Sequence, residues 1–139
     1  DPNLIPAQIG PFSELPLYGA KAQFIRTVHP IECYGIRITY MDRVFAYTSD
    51  SVYTPDLVPL LRDADLAIFD CGGLEKYRKP GMMHMTPTEV SILSKESGVK
   101  KVVLSHFVPY YDILEIREEA DAREDFPYVL AKPGQVYEI

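Results

Sequence analysis

Hydrophobic and polar residues alternate along the first half of the chain in a way that predicts β-strands. Residues 22–28 and 34–40 show this alternation, and residues 44–47 form a third run of β-branched and aromatic residues after a tight turn at 41–43. A period of two residues sends successive side chains to opposite faces of a sheet. We therefore predict an antiparallel hairpin whose second strand leads directly to Asp50.

Later strands are indicated by short runs that are apolar throughout. Residues 66–69 have the pattern of a strand that is buried on both faces. Residues 101–105 predict a further strand, and two short strands are predicted at 128–131 and 135–139, on either side of a turn that contains proline and glycine at 132–134.

Three helices are indicated by their start signals. Threonine or aspartate stands at the first position of each predicted segment, at 54–63, 86–98 and 112–124. In the second segment Thr86 and Glu89 have the spacing of a capping box, in which each side chain bonds to the backbone N–H of the other residue. Strands and helices that alternate along a chain indicate an α/β fold.

Prolines interrupt the first 21 residues, so we predict little regular structure there. The chain begins with Asp1 in this irregular stretch rather than with methionine. We therefore expect residues 1–21 to be a connection from a preceding half that is not part of this chain, and residues 22–139 to be the folded region.

Composition limits the classes of function. The 139 residues are 47% hydrophobic, which suits one domain with a buried core, and the formal charge of -6 argues against nucleic acid as a partner. Cys33 and Cys71 lack the spacing of a metal or disulfide motif, which favours a reducing, cytoplasmic location. No apolar run is long enough for a membrane helix, so we expect no membrane partner.

Three side chains are candidate metal ligands, and the remaining histidine lies near the start of a helix. His29, Asp50 and His106 each follow a predicted strand, and His84 stands two residues before the cap of a predicted helix. The carboxyl ends of strands in α/β proteins are where loops bring functional groups together. Imidazole and carboxylate groups are ligands for zinc and are also compatible with manganese and iron.

The order of five short motifs resembles the C-terminal half of the metallo-β-lactamase fold, and among its branches the one that contains ribonuclease Z. The motifs are VH (28–29), YGIRI (34–38), YTSDS (47–51), HMT (84–86) and VLSHF (103–107). The resemblance extends over residues 24–139. It implies half of a four-layer αβ/βα sandwich, in which a mixed sheet is flanked by helices.

The resemblance also implies a role for each candidate residue. His29 would complete one metal site, His106 would complete a second, and Asp50 would bridge two divalent ions, with zinc expected before manganese or iron. His84 would transfer a proton to the leaving group. The implied activity is hydrolysis of a phosphodiester, or of a small ester, lactone or thioester, by a metal-bound hydroxide.

The chain departs from the family pattern in ways that change the expected function. The family's His-x-His-x-Asp-His stretch is absent, since His29, His84 and His106 are the only histidines. We therefore expect this chain to be inactive without an N-terminal half that supplies those ligands. Ser49 stands where the family has glycine, and the backbone can still turn there if Ser49 keeps a negative φ. In transfer-RNA-processing members a long arm separates the strand of the YGIRI motif from the strand that leads to the aspartate. Here only residues 41–43 lie between these strands, which argues against transfer RNA as the substrate.

Other interpretations of these residues stay open. A histidine at a strand end is often structural, Asp50 could cap a turn, and Asp70 could either support the metal ligands or cap a loop. The methionines around His84 favour a packed lid rather than a copper site.

Two further functions remain alternatives to a hydrolase of a small-molecule substrate. One is an interaction module with a relic site, which would associate with a partner chain or with copies of itself through an exposed apolar layer. The other is a monomeric metal-binding protein without catalysis.

Overall fold

The computed structural model describes residues 8–10 and 13–139. Within them the chain forms a mixed sheet of seven strands together with three α-helices. The strands are β1 Glu14–Leu17, β2 Ala20–Arg26, β3 Tyr34–Tyr40, β4 Arg43–Tyr47, β5 Leu66–Asp70, β6 Val102–Ser105 and β7 Tyr128–Leu130. The helices are α1 Val58–Leu61, α2 Pro87–Ser97 and α3 Ile113–Asp121.

The strands follow one another across the sheet in the order of the sequence. Neighbours from β1 to β4 are antiparallel, and neighbours from β4 to β7 are parallel. Strands β2, β4, β5 and β6 therefore run in one direction, and their carboxyl ends lie along the same edge of the sheet. The prediction of an α/β fold with a mixed sheet is confirmed.

The capping box predicted for the second helix is present at the start of α2. The hydroxyl of Thr86 accepts from the backbone N–H of Glu89, and the carboxylate of Glu89 accepts from the backbone N–H of Thr86. At the other end, Gly98 adopts a φ of 72°, the left-handed conformation that commonly ends a helix. This helix therefore begins and ends where the sequence indicates, which fixes the position of His84 before it.

One face of the sheet forms the core with the helices. Apolar side chains of α1, α2 and α3 pack against alternate residues of the central strands, among them Ala46, Ala67, Phe69, Val102 and Leu104. Because side chains alternate along a strand, the intervening residues must face the other side.

The other face carries a continuous apolar row. The strand pairings place Phe24, Ile36, Tyr47, Ile68, Val103 and Val129 side by side across six strands. Val103 is buried and Val129 is exposed, while the other four are half-buried. None of the six belongs to the core formed with the described helices.

The structure corrects two expectations and leaves a third open. Residues 14–17, expected to be irregular, form β1, because the edge of a sheet tolerates Pro16 and because Tyr18 and Gly19 take the positive φ values of a tight hairpin turn. Residues 135–139 do not form the predicted strand; Val136 there is 84% exposed. The expectation of irregular structure at 1–7 and 11–12 lies outside the described residues.

Among the described helices, none has the length and apolar character needed to cross a membrane.

Candidate metal centre

All the candidate side chains lie where the carboxyl ends of the strands meet. Asp50 follows β4, Asp70 ends β5, His106 follows β6, and His29 comes after β2. Since these strands run in one direction, residues far apart in sequence are brought to one edge of the sheet. His29, Asp50 and His106 thus come after strand ends as expected, and their role as metal ligands stays a prediction.

His106 lies between two carboxylates. Its Nε2 atom is 3.4 Å from Oδ1 of Asp50, and its Nδ1 atom is 3.6 Å from Oδ1 of Asp70. The backbone of His106 has a φ of 59°, in the left-handed region that residues other than glycine rarely occupy. Strained backbone of this kind often occurs where a side chain must point in one direction.

His84 is held by Asp70. The Nδ1 atom of His84 is 2.8 Å from Oδ2 of Asp70, and the Asp70 side chain is completely buried. Both oxygens of this carboxylate also accept backbone N–H bonds, Oδ2 from Ser51 and Oδ1 from Gly72. These three hydrogen bonds suit the ionised carboxylate, which then accepts the hydrogen of His84 Nδ1.

Burial and hydrogen bonding act on the pKa of Asp70 in opposite directions. Removal from water raises the pKa of this carboxyl above its ordinary value, and this is the largest effect. The hydrogen bonds from His84, Ser51 and Gly72 favour the charged form and limit the rise.

The three imidazole rings converge. The ring centroids of His84 and His106 are 4.8 Å apart, and those of His29 and His84 are 6.1 Å apart. The Nδ1 atom of His29 is 3.7 Å from the sulfur of Cys33, a contact that sequence analysis did not anticipate.

Hydrogen bonds join the loop of His29 to the loop of Asp50. The hydroxyl of Thr27 donates to the carbonyl oxygen of Asp50 at 2.8 Å, and the N–H of Val52 donates to the carbonyl of Val28 at 3.1 Å. The hydroxyl of Ser51 accepts from the N–H of Val28. These bonds hold the backbone of the two loops together.

The turn before Asp50 contains a residue in the left-handed conformation. Ser49 adopts a φ of 55° rather than a negative value. The turn from β4 into the Asp50 loop requires the left-handed conformation, which glycine adopts without a steric cost and serine does not. The condition of a negative φ at Ser49 is therefore not met, because the path of the backbone, and not the residue type, decides φ here.

Gly72 permits the close approach of the two loops that carry His84 and His106. A Cβ atom at Gly72 would lie 3.0 Å from the carbonyl oxygen of His106 and 3.0 Å from Cγ of His84. A larger residue at this position would push the two loops apart. The glycine therefore maintains the spacing of the histidines.

One group of three described side chains has the spacing of a metal site, and it differs from the expected set. Asp70, His84 and His106 offer atoms that all lie within 4.8 Å of one another. The expected set was His29, Asp50 and His106. We prefer the expected set because the oxygens of Asp70 are already used by backbone N–H groups and by His84. Asp50 is only partly buried and faces His106, which leaves its carboxylate available.

Asp70 is the residue whose importance sequence analysis left undecided. The sequence pointed to Asp70 only through its position at the end of a buried strand. A carboxylate there could support the metal ligands or cap a loop. The structure shows the cap, since Asp70 accepts from the N–H of Gly72 two residues later, and it also shows a hydrogen bond to His84 in the candidate centre.

Comparison with known proteins identifies similar sequences and structures. Residues 7–107 match the family model described as beta-lactamase superfamily domain. The chain is 31% identical over 134 residues to the probable metallo-hydrolase YhfI of Bacillus subtilis. This match covers 96% of the chain and 51% of that protein. The chain is also 35% identical over 85 residues to ribonuclease Z of Kineococcus radiotolerans. That match covers 58% of the chain and 26% of the ribonuclease.

A solved structure extends this likeness to three dimensions. The crystal structure of YhfI from Bacillus subtilis, a metallo-beta-lactamase fold protein, superimposes with a TM-score of 0.84 at 29% identity. The match covers 93% of this chain and 52% of that one. The chain thus spans about half the length of YhfI.

Proposed function

Since the chain belongs to the beta-lactamase superfamily, in the part of it that contains metallo-hydrolases, we propose that it is the C-terminal half of a dinuclear metal-dependent hydrolase. The proposed reaction is hydrolysis of a phosphodiester or of a small ester, lactone or thioester. The observation that carries the proposal is the convergence of three imidazoles and two carboxylates at one edge of the sheet.

The residues of this chain fit a divalent metal ion. His29, Asp50 and His106 would be the ligands, a mixture of imidazole and carboxylate that suits zinc and is compatible with manganese or iron. Bound divalent ions would supply acidity for a water molecule and polarise a substrate oxygen. Asp50 faces His106 at 3.4 Å, so this pair can hold an ion between them after a small adjustment.

His84 and Asp70 are suited to proton transfer rather than to metal binding. Asp70 accepts the hydrogen of Nδ1, which leaves Nε2 of His84 as the atom that exchanges a proton with the substrate. The buried carboxylate also stabilises the positive charge of the protonated ring. His84 is 20% exposed at its side chain, enough for contact with a bound substrate.

The proposed partner is an N-terminal half, on the same polypeptide or on a second one. This chain offers two histidines and one shared aspartate to two metal ions, fewer than the three or four protein ligands that a zinc site usually has. The apolar row from Phe24 to Val129 supports the same proposal, because apolar residues across six strands, four of them half-buried, form a surface suited to packing against a second sheet. We call the chain together with this half the completed protein.

The first experiment combines native mass spectrometry with metal analysis of one sample. The same sample is then assayed with the chromogenic phosphodiester bis(p-nitrophenyl) phosphate and with a thioester. We expect the completed protein to hold about two divalent ions and to hydrolyse one of these substrates. Association of copies of this chain, with little metal, would contradict the proposal and favour an interaction module with a relic site.

A further inference from the structure

The carboxylate of Glu119, on α3, joins the two ends of the segment that carries His84. Its Oε2 atom accepts from the backbone N–H of Glu75 at 2.8 Å. Its Oε1 atom accepts from the backbone N–H of Thr88 at 3.1 Å and from the hydroxyl of the same residue at 2.8 Å. Glu75 lies shortly after β5, and Thr88 lies in the first turn of α2. We call residues 75–88 the His84 segment.

The His84 segment has little regular structure to maintain its shape before α2 begins. A short 3₁₀ turn, Glu75–Tyr77, stands at its start, residues 76–81 are exposed, and Gly81 adopts a φ of 82°. Closing such a loop costs conformational entropy, which bonds between its ends must offset. Glu119 provides three such bonds from a helix that is anchored in the hydrophobic core.

Further bonds carry this restraint to the residues next to His84. The hydroxyl of Thr86 donates to Oε1 of Glu75 at 3.0 Å. The N–H of Gly73 donates to the carbonyl oxygen of Met85 at 2.9 Å. The two residues that follow His84 are therefore bonded to the chain at 73–75, and α3 holds that part of the chain in place.

Capping of α2 does not by itself account for this arrangement. Thr86 and Glu89 already form the capping box at the start of the helix. A carboxylate that only capped the helix would need its bonds to Thr88 alone, whereas Glu119 also bonds to Glu75 before the exposed part of the segment. The bond to Glu75 therefore serves to close the segment.

The ionised form of Glu119 suits its place. Three hydrogens are directed at its two oxygens, and the N-terminal end of a helix favours negative charge. A glutamine has one oxygen, so it would turn an NH₂ group toward one of the two backbone N–H donors. Glu119→Gln should therefore release one end of the His84 segment, and Glu119→Ala should release both.

We propose that Glu119 is a positioning residue for His84: by holding the His84 segment closed, it keeps the imidazole against Asp70. Nδ1 of His84 is 2.8 Å from Oδ2 of Asp70. Hydrogen bonds of this kind extend to about 3.2 Å, so a displacement of the segment by about 1 Å would break this one. The effect on catalysis rests on the proposed function, in which His84 transfers a proton, whereas the effect on the ring does not.

The first test observes the imidazole directly. NMR correlation of the ring nitrogens with the ring hydrogens in ¹⁵N-labelled protein shows which nitrogen of His84 carries the proton. The sample is the protein in the assembly that native mass spectrometry identifies, at about pH 8, where ordinary histidine side chains are neutral. We expect the Nδ1–H form in the unmodified protein and a mixture with the Nε2–H form in Glu119→Gln. The share of the Nε2–H form should be larger in Glu119→Ala.

Glu118→Gln is the matched control, since Glu118 is exposed on the same helix, and it should leave the signals of His84 unchanged. Circular dichroism checks that each variant is folded. If the alanine variant is unfolded, the glutamine variant, which keeps the size of the side chain, decides the outcome. Signals of His84 that are the same in the folded Glu119 variants as in the unmodified protein would overturn the proposal.

The second test measures turnover of the completed protein with whichever of the two assay substrates it hydrolyses. Glu119→Ala should lower kcat by about 10²-fold, the scale of a 1 Å misplacement of a catalytic group, and leave KM and metal content unchanged. A changed His84 signal with unchanged kcat would support the positioning role and contradict proton transfer by His84. A lower kcat with an unchanged His84 signal would overturn the positioning role.

Discussion

The completely buried carboxylate of Asp70 accepts a hydrogen bond from Nδ1 of His84 at 2.8 Å, and this pair links β5 to the segment before α2. The bond sets the orientation of the imidazole, because a ring that donates at Nδ1 must direct Nε2 away from the carboxylate. Asp70 is therefore a positioning residue for His84, and its removal should affect stability as well as turnover.

Replacement of Asp70 by asparagine should destabilise the protein by about 1–3 kcal/mol. Both carboxylate oxygens accept backbone N–H bonds, from Ser51 and from Gly72. An amide has one oxygen, so in either orientation its NH₂ group would face an N–H donor. Urea unfolding measures the difference, with Asp42→Asn, in an exposed turn, as the matched control. Equal stability of the two variants would contradict the hydrogen-bond arrangement.

Replacement of His84 by alanine should lower turnover by about 10²–10⁴-fold and leave metal content unchanged, because the residue is assigned to proton transfer. His29→Ala is the matched comparison, since loss of a ligand should remove metal. Metal analysis and kinetics of both variants distinguish the roles. Loss of metal from the His84 variant would transfer this residue to the ligands and favour the set formed by Asp70, His84 and His106.

Replacement of Asp50 by alanine should abolish binding of two metal ions in the completed protein. His106 would lose the carboxylate that faces it at 3.4 Å, and no other side chain is assigned to bridge the ions. Metal content measured by atomic spectroscopy checks the expectation. Asp56→Ala, at an exposed acidic residue in the turn before α1, should keep its metals. Full occupancy in the Asp50 variant would exclude it as the bridging ligand.

Replacement of Ser49 by glycine should stabilise the protein by about 0.5–1 kcal/mol. A left-handed φ costs a residue with a Cβ atom about 1–2 kcal/mol, and the greater freedom of glycine in the unfolded chain offsets part of the gain. Ser49 has a φ of 55°. Ser49→Ala retains the Cβ atom and should bring no such gain. Thermal unfolding of the three proteins tests the prediction, and a lower Tm for the glycine variant would refute it.

Stability at low pH should depend on Asp65. Hydrogen bonds from Lys100 and from the backbone N–H of Val44 hold the pKa of this carboxyl below its usual value of 3.8. A lowered folded pKa contributes stability that is present above the unfolded pKa and is lost as the pH falls through the folded pKa. Asp65→Asn should therefore be less stable than the unmodified protein at neutral pH, and the difference should shrink in strong acid.

Urea unfolding at about pH 7 and about pH 3 measures this change. Asp42→Asn again serves as the control, because its exposed carboxylate is not held by Lys100. A difference between Asp65→Asn and the unmodified protein that stays constant with pH would mean that the lysine bond does not form in solution.

Several parts of the fold were predictable because their causes are local. The capping box of Thr86 and Glu89 and the glycine that ends α2 act within a few residues of the helix ends. Alternation of apolar residues within β2 and β3 depends only on the period of a strand. The edge strand β1 was not predicted, because the prolines of the first 21 residues, among them Pro16 in β1, argued against regular structure, and because its pairing depends on the later strand β2.

The sequence by itself determined which chemistry is available, since it contains three histidines, each next to a strand or a helix cap, and motifs in the order of the beta-lactamase superfamily. Only the tertiary structure decided how these groups are used. Asp70 meets His84 across 14 positions of sequence, Asp50 meets His106 across a much longer stretch, and Ser49 takes a left-handed φ to complete its turn. The physical reason is that such contacts depend on the parallel alignment of β4, β5 and β6, which no local pattern specifies.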